Sequence, residues 1–383
     1  MFFSICISHL IPPLSSVSAL HPEQVHIFRL WQTYLENVNP LLKVTHSSML
    51  QARIIDAVSE LGRDIHPTFE ALMFSIYCIA VVSLADSECP RLLKSSKEDL
   101  LSRYRFACQQ LLVKCRPWQF TDIDGLTALY LYLVSEWPQT DPRSLSSMLA
   151  ASIRIAQRMG FHDESTYTRH TTVEAEMRRR LWWSLVVFDH RICEMSDYKA
   201  TTLTPTRDCR IPSNRRCFAV IRSELADLIR HSTFHINLVN PVLAAVAKAK
   251  DLRDMSVPAN GENEMSTIQK AIQAKYLAFC DPADPLHYLT IWTTRGYLPA
   301  RNRLPEHYAR YVTSPATTQQ ADSQRNAALS YALEMLDCDT RLRVSPLTHF
   351  HVPALAYIHV LSDLKRRPRE SHAEKAWQVM SEN

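Results

Sequence analysis

Three arginines and two tryptophans lie together at 178–183, in the order Arg-Arg-Arg-Leu-Trp-Trp. Guanidinium groups beside aromatic rings could neutralise the phosphates and stack on the bases of a nucleic acid. Consecutive residues of a helix point about 100° apart, however, so three arginines in a row do not form a single patch. Glu174 and Glu176 each precede an arginine by four residues, which is the better orientation for an ion pair on a helix. We therefore expect these arginines to pair on the helix surface and the tryptophans to pack in the core, with a phosphate or nucleic-acid contact as the alternative.

Two pairs of closely spaced histidines could ligate a metal. His231 and His235 are four residues apart and would share one helix face, but the glutamate of a His-Glu-x-x-His motif is missing between them. His349 and His351 are two apart and would diverge on a helix. We expect all four to be structural, and the sequence predicts no metal site and no cofactor.

Paired carboxylates could carry acid–base chemistry or bind magnesium, and the best short-spaced pair is Asp122 and Asp124. Both precede an apolar helix, where carboxylates favour the N-terminus, so we expect them to cap it. No Asp-Asp-x-x-Asp run is present, which argues against a helical terpene synthase. With no converging set of acids, bases or ligands, we predict no catalytic residues and no enzymatic activity.

Glycine is scarce, with only 5 among 383 residues. No two of these glycines lie within about 30 residues of each other, whereas loops that hold phosphates need clustered glycines for close backbone approach. This spacing excludes dinucleotide-binding and P-loop motifs as well as the Gly-x-Ser-x-Gly elbow of hydrolases. Together with 46% hydrophobic residues, it predicts an all-α, multi-helix globular domain.

The 10 cysteines contain no Cys-x-x-Cys pair, which most structural zinc sites require. Scattered single cysteines are typical of reduced core residues in an intracellular protein. A net charge of +4 indicates by itself neither nucleic-acid nor membrane binding. Residues 71–85 are free of charge but would span only about 22 Å as a helix, less than a bilayer core, so we expect a buried helix and no membrane span.

Hydrophobic periodicity and punctuation locate the helices. We expect a first helix over 25–38 that stops at the turn Asn39-Pro40, because the residue before proline avoids the α region. Further helices are predicted at 47–61 (with Gly62 as C-cap), 68–84, 96–115 and 121–136. The next helix has Asp141 as N-cap, Pro142 as its first residue and Gly160 at its end. Another begins with a Thr171/Glu174 capping box. C-terminal helices are predicted at 218–253, 264–280, 285–300, 320–341, 352–366 and 370–380.

Four segments in order carry a resemblance to a known family: Ile-Arg-Ile-Ala-Gln-Arg-Met-Gly-Phe-His at 153–162, Glu-Ala-Glu-Met-Arg-Arg-Arg-Leu-Trp-Trp at 174–183, Phe-Asp-His-Arg at 188–191 and Ile-Pro-Ser-Asn at 211–214. Their sequence resembles the fungal-specific transcription factor domain, the middle homology region of fungal zinc binuclear cluster regulators. The motif residues, which we expect to be structural or regulatory, are Gly160, His162, Glu176, Arg178, Arg179, Arg180, Trp182, Trp183, Asp189, Pro212 and Asn214.

The resemblance implies a flexible N-terminal segment at 1–23, the middle homology region at 24–253 and a helical continuation at 254–383. It implies a nuclear regulator of RNA polymerase II transcription, with a pathway-specific role such as the control of secondary-metabolite genes. The six-cysteine zinc cluster that reads DNA in this family is absent from the 383 residues, so we expect at most indirect DNA contact. The expected partners are proteins, such as a complete zinc-cluster regulator in a dimer, or a small-molecule effector. An all-α enzyme, a scaffold or a truncated inactive regulator stay open as alternatives.

Overall fold

A computed structural model of the chain describes residues 17–59, 65–137, 139–196, 273–274, 277–281, 283, 285–294, 318–342, 354–367 and 372–382. Across these residues the secondary structure is helical with no strand, which confirms the predicted all-α class. Backbone contacts divide the chain into two compact units, Met1–Ala219 and Val220–Asn383. The predicted boundary at 253/254, the motif residues Pro212 and Asn214, and both histidine pairs lie outside the described residues.

The N-terminal unit consists of α-helices with short 3-10 turns at Val17–Leu20, Pro117–Gln119 and Glu164–Arg169. Its α-helices are α1 (Gln24–Thr33), α2 (Asn39–Leu42), α3 (Ser47–Ser59), α4 (Pro67–Ser83), α5 (Glu88–Leu93), α6 (Lys97–Lys114), α7 (Ile123–Glu136), α8 (Pro142–Arg158) and α9 (Thr172–Ser196). The predicted helices at 68–84, 96–115 and 121–136 are thus confirmed to within two residues at each end. The predicted C-cap Gly62 lies outside the described residues.

Helix α4 is the centre of this unit. Every residue from Thr68 to Ser83 is buried, which confirms the prediction of a buried helix at 71–85. It packs against α1, α6 and α7, while α8 packs against α7 and α9. No helix in the described part of the chain is both long and apolar enough to cross a membrane.

The predicted end of the first helix at Asn39-Pro40 is wrong. After α1 the backbone makes a π-helical turn at Tyr34–Val38 and continues directly into α2, which contains Pro40 in its first turn. Proline is tolerated there because the amide of a first-turn residue has no intrahelical partner to lose. The helical path ends instead at Lys43, which adopts a left-handed conformation with φ 52°.

Side-chain caps fix the starts of the central helices. Ser96 accepts a hydrogen bond from the Asp99 amide, Asp122 from the Gly125 amide at 2.8 Å, and Asp141 from the Ser144 amide. Of the predicted carboxylate pair, therefore, Asp122 is the cap of α7. Asp124 instead lies beside the guanidinium of Arg53 on α3, so its carboxylate ties two helices together.

The described helices of the C-terminal unit are α10 (Pro285–Trp292), α11 (Thr318–Leu342), α12 (Ala354–Arg366) and α13 (Ala373–Glu382). Helix α11 packs against both α12 and α13. The Asp363 carboxylate on α12 accepts hydrogen bonds from Arg367 and lies 3.0 Å from His372 Nε2, at the start of α13. The same Arg367 donates to Asn326 of α11, so one buried carboxylate and one arginine connect the three helices.

Candidate functional site

The family-like motif begins where α8 ends. Gly160 has φ +78°, a left-handed conformation that costs little only for glycine. Its amide donates to the carbonyl of Gln157, and the next amide, of Phe161, donates to the carbonyl of Ala156. This hydrogen-bond pattern is that of a glycine-terminated helix and confirms the predicted role of Gly160.

A short 3-10 turn at Glu164–Arg169 connects α8 to α9 and is closely tied to the helix end. The Thr166 hydroxyl lies 2.8 Å from the carbonyl oxygen of Gly160, and the Tyr167 hydroxyl donates to the carbonyl of Phe161 at 2.5 Å. Asp163 caps the turn. Hydrogen bonds from the side chain and the amide of Ser165 hold the pKa of the Asp163 carboxyl below its usual value.

Helix α9 begins after Thr171, whose hydroxyl accepts from the Glu174 amide at 3.3 Å, as the capping box predicts. The carboxylate of Glu174 lies 3.0 Å from His170 Nδ1 and accepts from Arg178 Nε at 3.2 Å. The second glutamate, Glu176, accepts two hydrogen bonds from Arg180, at 2.8 and 2.7 Å. Both predicted i,i+4 ion pairs are therefore present.

The prediction that these arginines lie on the helix surface is wrong for two of them. Arg178 and Arg180 are only 7% and 8% exposed, so both are buried in the N-terminal unit. Arg178 also donates to the carbonyl of Met159 at 3.3 Å and lies 4.7 Å from the centre of the Phe161 ring. It therefore binds the end of α8 to α9.

Arg179 makes a contact that the sequence did not reveal. Its guanidinium pairs with Glu164 of the 3-10 turn, 15 residues earlier, and stacks 4.9 Å from the centre of the Tyr167 ring. The pairing and the ring contact hold the 3-10 turn against α9. No local spacing rule links positions so far apart, so only the chain reversal after Gly160 brings them together.

Four further motif residues lie within the described part of the chain, and three of them are core residues. Trp182 and Trp183 are buried, as predicted, and Asp189 is buried as well. His162 is exposed, with its ring centre 6.1 Å from that of Trp182. The motif is thus a structural junction among α8, the 3-10 turn and α9, in which each of the three arginines has an internal carboxylate partner.

Sequence reasoning also missed a buried polar cluster between α6 and α7. Arg105 Nε lies 2.6 Å from Glu136 Oε1, and Gln109 donates to the Tyr132 hydroxyl at 2.5 Å. Desolvation by burial raises the pKa of the Glu136 carboxyl in spite of the opposing effect of Arg105. The interruption of the apolar pattern by Arg105 and Glu136 was the only signal of this cluster in the sequence.

Within the described residues, no group of three or more histidine, cysteine, aspartate or glutamate side chains could hold a metal ion. Burial raises the pKa of the Cys78 and Cys108 thiols, which keeps both protonated and unreactive. The chemistry available to the motif is therefore internal ion pairing and packing.

Comparison with known proteins gives this junction its context. Residues 31–215 match the family model of the fungal specific transcription factor domain. The transcriptional regulator nsrM of Aspergillus novofumigatus is 78% identical over 96% of this chain and 53% of its own length. The transcriptional regulator AacuB of Aspergillus aculeatus is 50% identical over 96% of this chain and 52% of its own.

A more distant relative is the aurofusarin cluster transcription factor aurR2 of Gibberella zeae, which is 30% identical over 96% of this chain and 57% of its own length. The chain thus spans about half the length of the curated relatives that it matches. The α8–α9 junction, with its arginines and tryptophans, falls inside the matched range. Residues 31–215 of this chain are therefore a fungal specific transcription factor domain.

Proposed function

We propose that the chain acts in the nucleus as a regulator of RNA polymerase II transcription for a pathway-specific set of genes, those of secondary-metabolite biosynthesis. The observation that carries the proposal is the similarity to transcriptional regulators along 96% of this chain. The names of two relatives refer to gene clusters for aurofusarin and for pyriculol or pyriculariol, which supports the pathway-specific role.

The proposed mechanism works through the helical domain and not through DNA reading by these residues. Arg178, Arg179 and Arg180 are the most concentrated cations of the motif, and their charges are engaged by Glu174, Glu164 and Glu176. A phosphate would have to displace these partners, two of which hold buried guanidinium groups. The domain therefore binds protein partners, such as a complete zinc-cluster regulator, or responds to a small-molecule effector.

We also propose that the chain is not an enzyme. The ionisable groups buried together in the described part of the chain, such as Arg105 and Glu136, face each other inside the helix packing. A buried ion pair of this kind is engaged in structure, whereas a catalytic site needs its acid and base to converge on a space for substrate. Turnover of a substrate by the purified chain would contradict this part of the proposal.

The test of this mechanism has two readouts. The full chain carrying a fluorescent protein is expected to accumulate in nuclei of a fungal host, and the purified chain is expected to give no sequence-specific shift of promoter DNA. Any shift that does occur should weaken steeply with salt and show no preference among sequences, since it would come from phosphate contacts alone. Exclusion from nuclei would contradict the proposed location, and a sequence-specific shift would contradict the indirect mechanism.

A further inference from the structure

A second group of cations lies near an exposed tryptophan in the N-terminal unit, either just before it in the chain or on the helix that is hydrogen-bonded to its backbone. We propose that this basic–aromatic surface, formed by Lys114, Arg116, Trp118, Arg154 and Arg158, binds an acidic segment of a protein partner that also carries apolar side chains. The surface lies where α6 passes into α7, beside the C-terminal end of α8.

Hydrogen bonds bring the two parts of the surface together. Arg158, in the last turn of α8, donates to the backbone carbonyl of Trp118, and a second nitrogen of the same guanidinium donates to the carbonyl of Phe120 at 2.7 Å. Arg154 precedes Arg158 by one helical turn and therefore shares its face. Lys114 ends α6 and leads through Arg116 directly into the turn that carries Trp118.

Within the described residues, the cations of this surface have no carboxylate partner, in contrast to the α9 arginines. In the described part of the chain, Lys114 and Arg116 form no ion pair or side-chain hydrogen bond, and Arg154 has only a 3.4 Å contact with Gln157. The carboxylate in the same connection, Asp122, is engaged by the amide of Gly125 as the cap of α7. The surface therefore presents four positive charges that a partner can neutralise.

Trp118 is 52% exposed, and its backbone is already fixed. Pro117 beside it is buried, Arg158 holds its carbonyl, and Arg116 before it adopts a left-handed conformation with φ 49° and ψ 82°. A partner that packs on this ring has little backbone left to order, which lowers the entropic cost of binding. Tryptophan and arginine are also the residues most enriched among energetic hot spots of protein interfaces.

The arrangement fits an acidic peptide better than a nucleic acid. Arg158 is hydrogen-bonded to the backbone of Trp118, so a carboxylate can pair with a guanidinium of this surface while an apolar side chain covers the Trp118 ring. A nucleic acid would require a basic groove that follows its backbone, with several aromatic rings for successive bases. The described residues place a single exposed tryptophan here, which is too few rings for successive bases to stack on.

This surface adds a binding site to the regulatory function proposed above and gives that function a class of partner. Its test measures binding by the purified chain and uses no gene readout. A negative result would therefore contradict peptide binding by this surface and would leave the proposed regulatory function untouched.

The experiment is fluorescence anisotropy of a labelled peptide built from aspartate, glutamate, leucine and phenylalanine, titrated with the full chain. The matched peptide replaces each acid by asparagine or glutamine. We expect the acidic peptide to bind and the amide peptide to bind at least about tenfold more weakly. Equal binding of the two peptides, or binding of neither, overturns the proposal.

Variants locate the binding on the surface. Trp118→Ala, and separately the triple change Lys114→Glu/Arg116→Glu/Arg154→Glu, are each expected to weaken binding by about tenfold or more. Phe28→Ala removes another exposed aromatic ring, 41% exposed on α1, and should leave the affinity unchanged. Circular dichroism must show native helicity for every variant, and Trp118→Phe should retain most of the affinity because it keeps an aromatic ring.

Two further outcomes overturn the proposal. If the acidic peptide binds Trp118→Ala and the triple variant as tightly as it binds the native chain, the peptide uses another surface. If single-stranded or duplex DNA displaces the peptide, and if the same variants also lose their binding of DNA, the surface binds nucleic acid.

Discussion

Arg178, Arg179 and Arg180 are consecutive in the chain, yet each meets a different carboxylate: Glu174, Glu164 and Glu176 respectively. The cations of the basic–aromatic surface have the same charge but lack such carboxylate partners. The difference lies in position, since Arg178 and Arg179 contact the end of α8 and the 3-10 turn, whereas Lys114 and Arg116 lie at the end of α6. The same residue type therefore stabilises the fold at one place and remains available for binding at the other.

Removing a buried arginine should be far more costly than removing an exposed one. Arg180→Ala leaves the Glu176 carboxylate without the guanidinium that donates two hydrogen bonds to it, in a site where both side chains are largely buried. We expect the free energy of unfolding to fall by about 3 kcal/mol. Urea denaturation followed by tryptophan fluorescence measures this change.

The matched control is Arg91→Ala on α5. Arg91 is exposed, and its nitrogen lies 3.9 Å from Glu88 one turn away. We expect a loss of at most about 0.5 kcal/mol, as for other exposed pairs. Equal effects of the two substitutions would show that burial of the α9 arginines contributes nothing to the free energy of unfolding.

The cysteines make a chemical prediction at the same scale. Desolvation by burial raises the pKa of the Cys115 thiol to about 11 and that of Cys338 to about 12, and it also raises the pKa values of the Cys78 and Cys108 thiols. Because only the thiolate reacts, iodoacetamide at mildly alkaline pH should label these four slowly in the folded chain and rapidly in urea. Peptide mass spectrometry reads each site separately, and rapid labelling of Cys108 in the native protein would be inconsistent with its buried position.

At the scale of the elements, the end of α8 determines how the motif is assembled. A Cβ atom at residue 160 would stand 3.1 Å from Thr166 Cγ2, in addition to the cost of the φ of +78°. Gly160→Ala should therefore lower the free energy of unfolding by at least about 1–2 kcal/mol. Adding Thr166→Ser, which removes Cγ2 and keeps the hydroxyl, should recover only the part due to crowding.

Thermal denaturation of the single and double variants separates the two contributions. Full recovery in the double variant would mean that the left-handed backbone is not strained. An unchanged melting temperature for Gly160→Ala alone would mean that α8 ends differently from the structure described above.

Much of the element layout follows from local chemistry. Asp141, Thr171 and Gly160 mark helix ends through hydrogen bonds that span only a few residues, so the sequence predicts them correctly. The π-helical turn at Tyr34–Val38 has no local signature that we could identify in the sequence, and it packs against α4 in the structure. The burial of Arg178 and Arg180 was missed for the same reason, since spacing predicts a pair but not what covers it.

At the scale of the whole molecule, the matched domain and the N-terminal unit nearly coincide. The family match ends at residue 215, and the division into compact units falls after Ala219. The helices that hold the arginine motif and those that present the basic–aromatic surface thus belong to one unit. A regulatory role through this unit requires neither a metal nor catalysis, only a stable surface that partners recognise.

We propose that the helical domain itself regulates transcription once it is brought to a promoter. The most direct measurement fuses the full chain to a heterologous DNA-binding domain and compares reporter transcription in a fungal host with that of the DNA-binding domain alone. We expect the fusion to change reporter output, and Arg180→Ala to reduce that change because it destabilises the domain. A fusion that is folded, nuclear and bound at the promoter, yet leaves reporter transcription unchanged, would contradict a regulatory role of the helical domain.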